Sequence, residues 1–345
     1  MIQDDVSTAG AKAAVAPRFS IVIANYNYGR FVGRAIESAL GQDWPLVEIV
    51  VVDDGSTDDS RAVIERYAGS VTSVFQANSG QRIANNIGFA RANGDIVIFL
   101  DADDALHPAF ARSVADVWQP GISKVQVQMA RVDVNERPLG STVPPIANAP
   151  SPEAICRWAR STSEYPTPPG SGNAYARDFL ERFFPIGAED DSSTDSTCLA
   201  LAPFLGDVVT IARPLASYRQ HGGNDSNLFA DRQRFGREVA RALQRQESAE
   251  RICARLGAPH PDPGCIRFGL HLLQLRAASF RMDRPSHPFP GDSRFNIVRD
   301  LTLSLAKGGF ERRSKRLVAA AWSVLVLLTP LPLARKLIRF RFAYG

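Results

Sequence analysis

Ile96-Val97-Ile98-Phe99-Leu100 runs directly into Asp101-Ala102-Asp103-Asp104. Five apolar residues, β-branched and aromatic among them, predict a buried strand. Three carboxylates in four positions repel one another unless a cation or a hydrogen-bonding partner neutralises them. Short carboxylates are hard oxygen ligands that hold Mg²⁺ or Mn²⁺ together with substrate phosphates. The plainer alternative is a solvated strand-to-helix turn capped by Asp104 ahead of Pro108. This motif alone leaves both open.

Working outward towards the N-terminus, Phe19–Ala24 is a second buried-strand pattern, ending in Asn25-Tyr26-Asn27-Tyr28-Gly29. Phe31, Val32, Ala35, Ile36, Ala39 and Leu40 then recur at helical spacing, with Gly41 suited to the helix end. Val47–Val52 is a third strand, ending in Asp53-Asp54-Gly55-Ser56. Ser56 and Asp59 read as an N-cap pair for a short helix burying Val63, Ile64 and Tyr67. Val71–Phe75 predicts another strand. Asn78-Ser79-Gly80-Gln81 opens a helix with Ile83, Ile87 and Ala90 on its buried face, stopped by Asn93-Gly94. The order β-α-β-α-β-α-β calls for a mostly parallel sheet with helices on both faces.

In such sheets ligands sit beyond the carboxyl ends of the strands. Asn25, Asp54 and Asp101 all fall there, which favours a shared site over three unrelated turns. Neither G-x-G-x-x-G nor G-x-x-x-x-G-K-[ST] occurs, so phosphates would be held through a metal.

Beyond Pro108, Lys124–Val134 alternates as a strand, with a phase shift near Ala130 that a bulge would produce. Residues 138–153 and 161–172 are rich in Pro, Ser and Gly and read as surface loops; residues 135–175 are where specificity is expected. Asn173–Arg177 predicts a strand, Asp178–Phe184 a helix and Val208–Ile211 a strand. Between them stands Glu189-Asp190-Asp191-Ser192-Ser193-Thr194-Asp195, and after them Ser217-Tyr218-Arg219-Gln220-His221-Gly222-Gly223-Asn224.

The chain has 345 residues, 45% apolar and 22% charged, enough for one large domain or two. Its net charge of +4 is concentrated at one end: residues 311–345 hold eight Lys and Arg against one Glu, leaving the rest acidic. A nucleic-acid surface on the main body is therefore not indicated. Cys156, Cys198, Cys253 and Cys265 form no C-x-x-C pair and read as reduced thiols. Residues 1–17 lack a signal-peptide pattern and are expected to be a disordered tail, with the main body cytoplasmic.

Residues 229–256 and 265–281 read as helices, the first heavily charged and solvated. Leu317–Ala334 carries no charge and has basic residues on both flanks. Pro330 and Pro332 leave a clean apolar helix of roughly twelve residues, short of the ~20 that span a bilayer. This predicts an interfacial helix on anionic lipid at the inner face of the cytoplasmic membrane, anchored by Trp322 and the basic flanks. A buried core helix is the alternative.

The stretches FSIVIANYNYGRFVGRAIESALGQ, VEIVVVDDGSTDDS, NSGQRIANNIGFARANGDIVIFLDADD and, more loosely, PLASYRQHGGNDS run in the order found in family 2 glycosyltransferases. The chain resembles that family closely over residues 19–104 and more loosely over 172–226. The resemblance implies an α/β GT-A fold, Rossmann-like and mostly parallel, with a C-terminal helical extension. It divides the chain into a tail (1–17), a nucleotide-sugar-binding half (18–118), an acceptor-binding half (119–228) and a helical region (229–345) ending in a membrane-associating tail.

By resemblance, Asn25 and Tyr26 lie along the base and ribose, Asp54 accepts a hydrogen bond from the base, and Asp101 faces the ribose. Asp103 ligates a divalent cation (Mg²⁺ or Mn²⁺) on the diphosphate, with Asp101 beside it and His221 a third candidate. Arg219 pairs with phosphate. Asn86 and Gly88 match an N-x-G flanking the donor, with Asn85 where Arg or Leu is usual. The base is expected in a Glu-Asp pair eleven residues before a Gly. Asp195 stands at that distance from Gly206, with Thr194 replacing the Glu; Asp190 and Asp191 are its rivals.

The implied activity is inverting transfer of a sugar, UDP-linked by family frequency, to a saccharide or lipid-linked acceptor in cell-surface glycan synthesis. The acceptor hydroxyl loses its proton to a carboxylate as it attacks the anomeric carbon, and the cation stabilises the departing diphosphate. A GT-A scaffold without strong catalysis and a sugar nucleotidyltransferase are the competing readings. The latter wants a basic Gly-rich triphosphate loop, which Asn25–Gly29 does not supply.

Overall fold

The computed structural model describes residues 16–190, 194–221 and 233–343. Four strands come first: β1 (Phe19–Asn25), β2 (Val47–Asp53), β3 (Thr72–Phe75) and β4 (Ile96–Asp101). Helices α1 (Gly29–Leu40), α2 (Ser60–Glu65) and α3 (Gln81–Arg91) connect them. These strands lie in the order β3-β2-β1-β4, all parallel. The same sheet continues through β5 (Ala105–Leu106), β6 (Ile122–Val132), β7 (Pro138–Val143), β8 (Asn173–Ala176) and β9 (Asp207–Arg219). There β8 is antiparallel to β4 and β6, β9 is parallel to β6, and β5 and β7 close antiparallel on β9 and β6. The sheet is thus mixed, parallel where the site forms. The phase shift in β6 is a register break between Ala130 and Val132.

Strands β1 and β4 show no polar alternation because both faces are covered. Ile21, Ile23, Ile96 and Ile98 face a core shared with α1 and α4 (Phe110–Val117). Val22, Val97 and Phe99 face the opposite core, shared with α3, α5 (Pro152–Thr162), α6 (Arg177–Glu181) and α7 (Thr194–Leu205). Helices α8 (Arg234–Arg255), α9 (Leu270–Met282), α10 (Arg294–Lys307), α11 (Arg313–Leu328) and α12 (Leu331–Ala343) enclose a third core. At its centre the buried Arg276 bonds Asp292 (2.9 Å) and Asp300 (2.9 Å), and His287 joins through Asp292 (2.9 Å).

Several local expectations are corrected. Helix α3 buries Ala84, Asn85, Gly88 and Phe89, while Ala90 is exposed. A Cβ on Gly88 would lie 2.3 Å from Val22 Cγ1, so the missing side chain lets α3 approach β1 and sets its rotation. Ser56 does not cap α2, because its hydroxyl is given to Asp53 (2.5 Å); Asp58 accepts from Ser60 N and Gly29 N instead. Asp104 is not an exposed cap but is buried at 2% exposure. Residues 138–143 form β7, and 161–172 is no surface loop, since Tyr165 and Ser171 are buried.

The last two helices also differ from expectation. Trp322 turns inward, donating from Nε1 to Leu337 O (3.1 Å), and so ties α11 to α12 instead of standing out as an anchor. Among the described residues no helix is long and apolar enough to cross a membrane. All four cysteines are free thiols, and three of them are buried.

Candidate functional site

The parallel register brings distant residues to one edge. Asn25 pairs with Asp53 across β1 and β2, and Ala24 with Asp101 across β1 and β4, so the three polar ends are level. Strand β1 has β2 on one side and β4 on the other, the place where such sheets open a crevice. A cleft of about 730 Å³ lies there, lined on one side by Asn25, Tyr26, Asp54, Asn78, Gly80 and Gln81. Asp101, Asp103 and Asp195 line its middle.

Asn25 is buried, and its Nδ2 donates to Asp53 Oδ1 (2.8 Å) and Ser56 Oγ (3.1 Å). The carboxylate partner fixes the orientation of the amide. Its Oδ1 is a buried acceptor without a hydrogen bond, in a side chain that lines the cleft. Such an atom costs stability until a donor reaches it. Asp54 is differently engaged. Its carboxylate accepts from Gln76 Nε2 (2.6 Å), Ser79 N (2.8 Å) and Gly80 N (2.8 Å). Three of its roughly four lone-pair sites are therefore occupied in holding the loop between β3 and α3.

The carboxylates of the opening motif separate into different environments. Asp104 is buried, accepting from Ser171 Oγ (2.6 Å) and Arg219 N (3.0 Å); burial and the neighbouring Asp103 raise it to about 8. Asp101 accepts from Gln81 Nε2 (3.2 Å). Burial, with Asp104, Asp103 and Asp195 adding repulsion, holds its carboxyl well above the usual range. Asp103 pairs with His221 Nε2 (2.9 Å), whose ring stacks on Phe31 at 5.2 Å. Among the described residues no three His, Cys, Asp or Glu side chains form a complete metal cage. Two carboxylates from Asp101 and Asp103 suit a cation that draws its other ligands from phosphate oxygens and water, as Mg²⁺ and Mn²⁺ do with nucleotides. The mutual repulsion at Asp101 is what such a cation relieves. The residues present fit the group.

Asp195 sits in the first turn of α7, its Oδ1 accepting from Ser196 N (2.9 Å). It faces Asp101 past Gly170, on which a Cβ would lie 3.4 Å from Asp101 Oδ2 and 3.7 Å from Asp195 Oδ2. The start of this helix is tied down where Asn85 Nδ2 donates to Thr194 Oγ1 (3.1 Å). The two positions that depart from the usual pattern are thus each other's partners. Asp190 is turned away: it is 5% exposed and ion-paired to Arg251 on α8. Asp191 lies outside the described residues.

Two further candidates are placed elsewhere than expected. Arg219 is 3% exposed, with Nε on Asp103 O (2.7 Å), one terminal nitrogen on Val134 O (3.2 Å) and the other on Glu136 (2.8 Å). It braces the Asp103–Asp104 turn and does not line the cleft. Asn86 clasps Ile186 through both backbone groups, donating to its O and accepting from its N, each at 3.0 Å. It holds a loop and does not line the cleft either.

The far wall was not anticipated. Glu164, Glu238, Arg241, Arg245 and His271 line it, the last four from α8 and the start of α9. Their charges look like a solvated helix face in sequence, and no local signal marks them. Glu164 accepts from Leu272 N (2.8 Å) and His271 N (3.1 Å), and burial raises its carboxyl to about 7, with Glu311 adding to the shift. Its ordinary value is 4.5, so folding favours the protonated form. That contribution is complete below the ordinary value and is lost as pH rises through about 7. Glu164→Gln cannot ionise, so its melting temperature relative to wild type should climb between about pH 5 and pH 8. Parallel melting curves across that range would refute the assignment.

Residues 20–183 match the model of glycosyl transferase family 2. An uncharacterized glycosyltransferase of Nostoc sp. is 38% identical over 216 residues, which cover 60% of this chain and 66% of the relative's own length. Among solved structures, S. aureus TarS 1–349 in complex with UDP-GlcNAc is similar at a TM-score of 0.53 and 16% identity, covering 94% of this chain and 91% of that one. The mannosyltransferase PcManGT from Pyrobaculum calidifontis, in complex with GDP-Man and Mn²⁺, is similar at 0.50 and 18%, covering 95% and 85%. At these identities the likeness is one of fold, and the fold is GT-A.

Proposed function

Because the chain belongs over residues 20–183 to glycosyl transferase family 2, we propose that it moves a sugar from a nucleoside diphosphate, UDP in the first instance, to a saccharide or lipid-linked acceptor with inversion. The observation that carries this reading is the joining of two features in one cleft. An unpaired buried acceptor, Asn25 Oδ1, stands at one end, and the carboxylates of Asp101, Asp103 and Asp195 stand in the middle. The first suits an N–H of a nucleobase, and the second suits a diphosphate with its cation. TarS in complex with UDP-GlcNAc and PcManGT in complex with GDP-Man and Mn²⁺ lend support from two proteins of the same fold.

In this reading Asn25 receives the base and Tyr26, 45% exposed, lies along base and ribose. Asp54 acts by holding the loop that carries Asn78, Gly80 and Gln81 into the cleft. Asp101 and Asp103 would hold a divalent cation, with His221 orienting Asp103. Such a cation supplies charge neutralisation for the departing diphosphate. Asp195 takes the proton of the attacking hydroxyl from its place in the first turn of α7. Residues 18–118 form the donor half and 119–228 the acceptor half. The helical region 229–345 completes the acceptor wall through α8 and α9.

Calorimetric titration with UDP, GDP and dTDP, each in Mn²⁺ and in EDTA, tests this. One nucleotide should bind with Mn²⁺ present, and its affinity should fall at least about tenfold in EDTA or in Asp103→Ala. Failure of all three nucleotides to bind would remove the transferase reading and leave a scaffold.

A further inference from the structure

The described residues contain thirteen exposed large hydrophobic side chains, and nine of them fall between Phe295 and Phe340. Helix α11 organises this surplus. Leu317, Val318, Ala321, Leu325 and Leu328 recur at helical spacing, all exposed, while Ala320, Ser323, Val326 and Leu327 turn inward. Val318 is 70% exposed and Leu328 65%. On α12, Leu331, Leu333 and Phe340 are exposed as well. Isolated surface hydrophobics are ordinary, but a stripe at helical spacing marks a docking face.

The charge around the stripe is of one sign. No Asp or Glu follows Glu311, whereas Arg312, Arg313, Lys315, Arg335, Lys336 and Arg339 are all exposed. A second copy of the chain is a poor occupant, since a two-fold contact would face these cations with their own duplicates. Helix α11 has 16 residues. At ~1.5 Å per residue it reaches about 24 Å, short of the ~30 Å hydrocarbon core. An apolar stripe of that length with basic flanks suits a helix lying in the plane of a lipid surface.

We propose that α11 and α12 dock the protein onto an anionic bilayer, with Leu317, Val318, Leu325 and Leu328 entering the acyl boundary and the exposed cations meeting lipid phosphates. This holds whether or not the cleft transfers sugar, and it places the cleft beside a membrane, where a lipid-linked acceptor would be found.

Flotation with vesicles of phosphatidylcholine, alone or mixed with phosphatidylglycerol, tests it on the full chain. Wild type should float with the mixed vesicles and not with phosphatidylcholine alone, more weakly at high salt. Val318→Asp/Leu325→Asp should reduce binding more than tenfold while the circular dichroism spectrum stays that of wild type. Arg335→Glu/Arg339→Glu, changed only at exposed positions, should do the same and carries the test if the first variant does not fold. Wild type that ignores phosphatidylglycerol, or variants that bind as wild type does, would overturn the proposal. So would a dimer in sedimentation that the Asp pair dissociates, since the face would then be a self-interface.

Discussion

Asp195→Asn should lower the turnover of nucleotide sugar by about a hundred- to ten-thousandfold and leave nucleotide affinity within about twofold of wild type. The amide has the size and shape of the carboxylate and keeps the acceptor used by Ser196 N, so α7 begins as before. What it lacks is the capacity to take a proton. Asp190→Asn is the informative comparison. Asp190 is ion-paired to Arg251, and its backbone O accepts from Ser248 Oγ. Its substitution should therefore reduce melting temperature before it reduces rate. Equal rate losses in the two variants, or a loss confined to Asp190→Asn, would move the base out of α7. Nucleoside diphosphate release, followed alongside calorimetry, separates lost chemistry from lost binding.

Arg276→Ala should cost about 3–5 kcal/mol of folding stability, a drop of roughly 5 °C in the melting temperature of a chain this long. Arg276, Asp292 and Asp300 are each 0% exposed at the side chain, so the variant buries two carboxylates with their main partner gone. The guanidinium also lies 3.8 Å from the centre of the Phe289 ring, and that contact is lost too. The effect has a pH signature. Burial works to raise Asp292, but hydrogen bonds from His287 and Arg276 outweigh it and hold the carboxyl below its ordinary value. A depressed carboxylate contributes stability above its unfolded pKa of ~3.9 and loses it as pH falls through the folded value. The difference between wild type and Arg276→Ala should therefore be largest near neutrality and shrink below about pH 4. A melting temperature unchanged by the substitution would mean that the ion network is not what holds α9 to α10.

Much of the cleft's lining was readable in advance, for a physical reason. A strand covered on both faces must be apolar throughout, so β1, β2 and β4 announce themselves, and the polar residues that stop them mark the sheet edge. Asn25, Tyr26, Asp54, Asp101, Asp103 and Asp195 could be named this way or by resemblance, and all six line the cleft. What each group is already bonded to could not be read. Asp54 is engaged with three donors and Arg219 with the turn behind Asp103 and with Glu136, partners up to 116 residues distant.

The sequence by itself determined the alternation of strands and helices and the edge at which carboxylates collect, because both follow from local periodicity and from where apolar runs end. Only the tertiary structure decided the rotation of α3, set by the missing side chain of Gly88 against Val22. It alone decided that Asn85 meets Thr194 beside Asp195 and that the charged face of α8 closes the far side of the cleft. These are contacts between segments remote in the chain. A helix face of Glu and Arg reads as solvated until another element is laid against it, and the long-range packing that does so leaves no local trace.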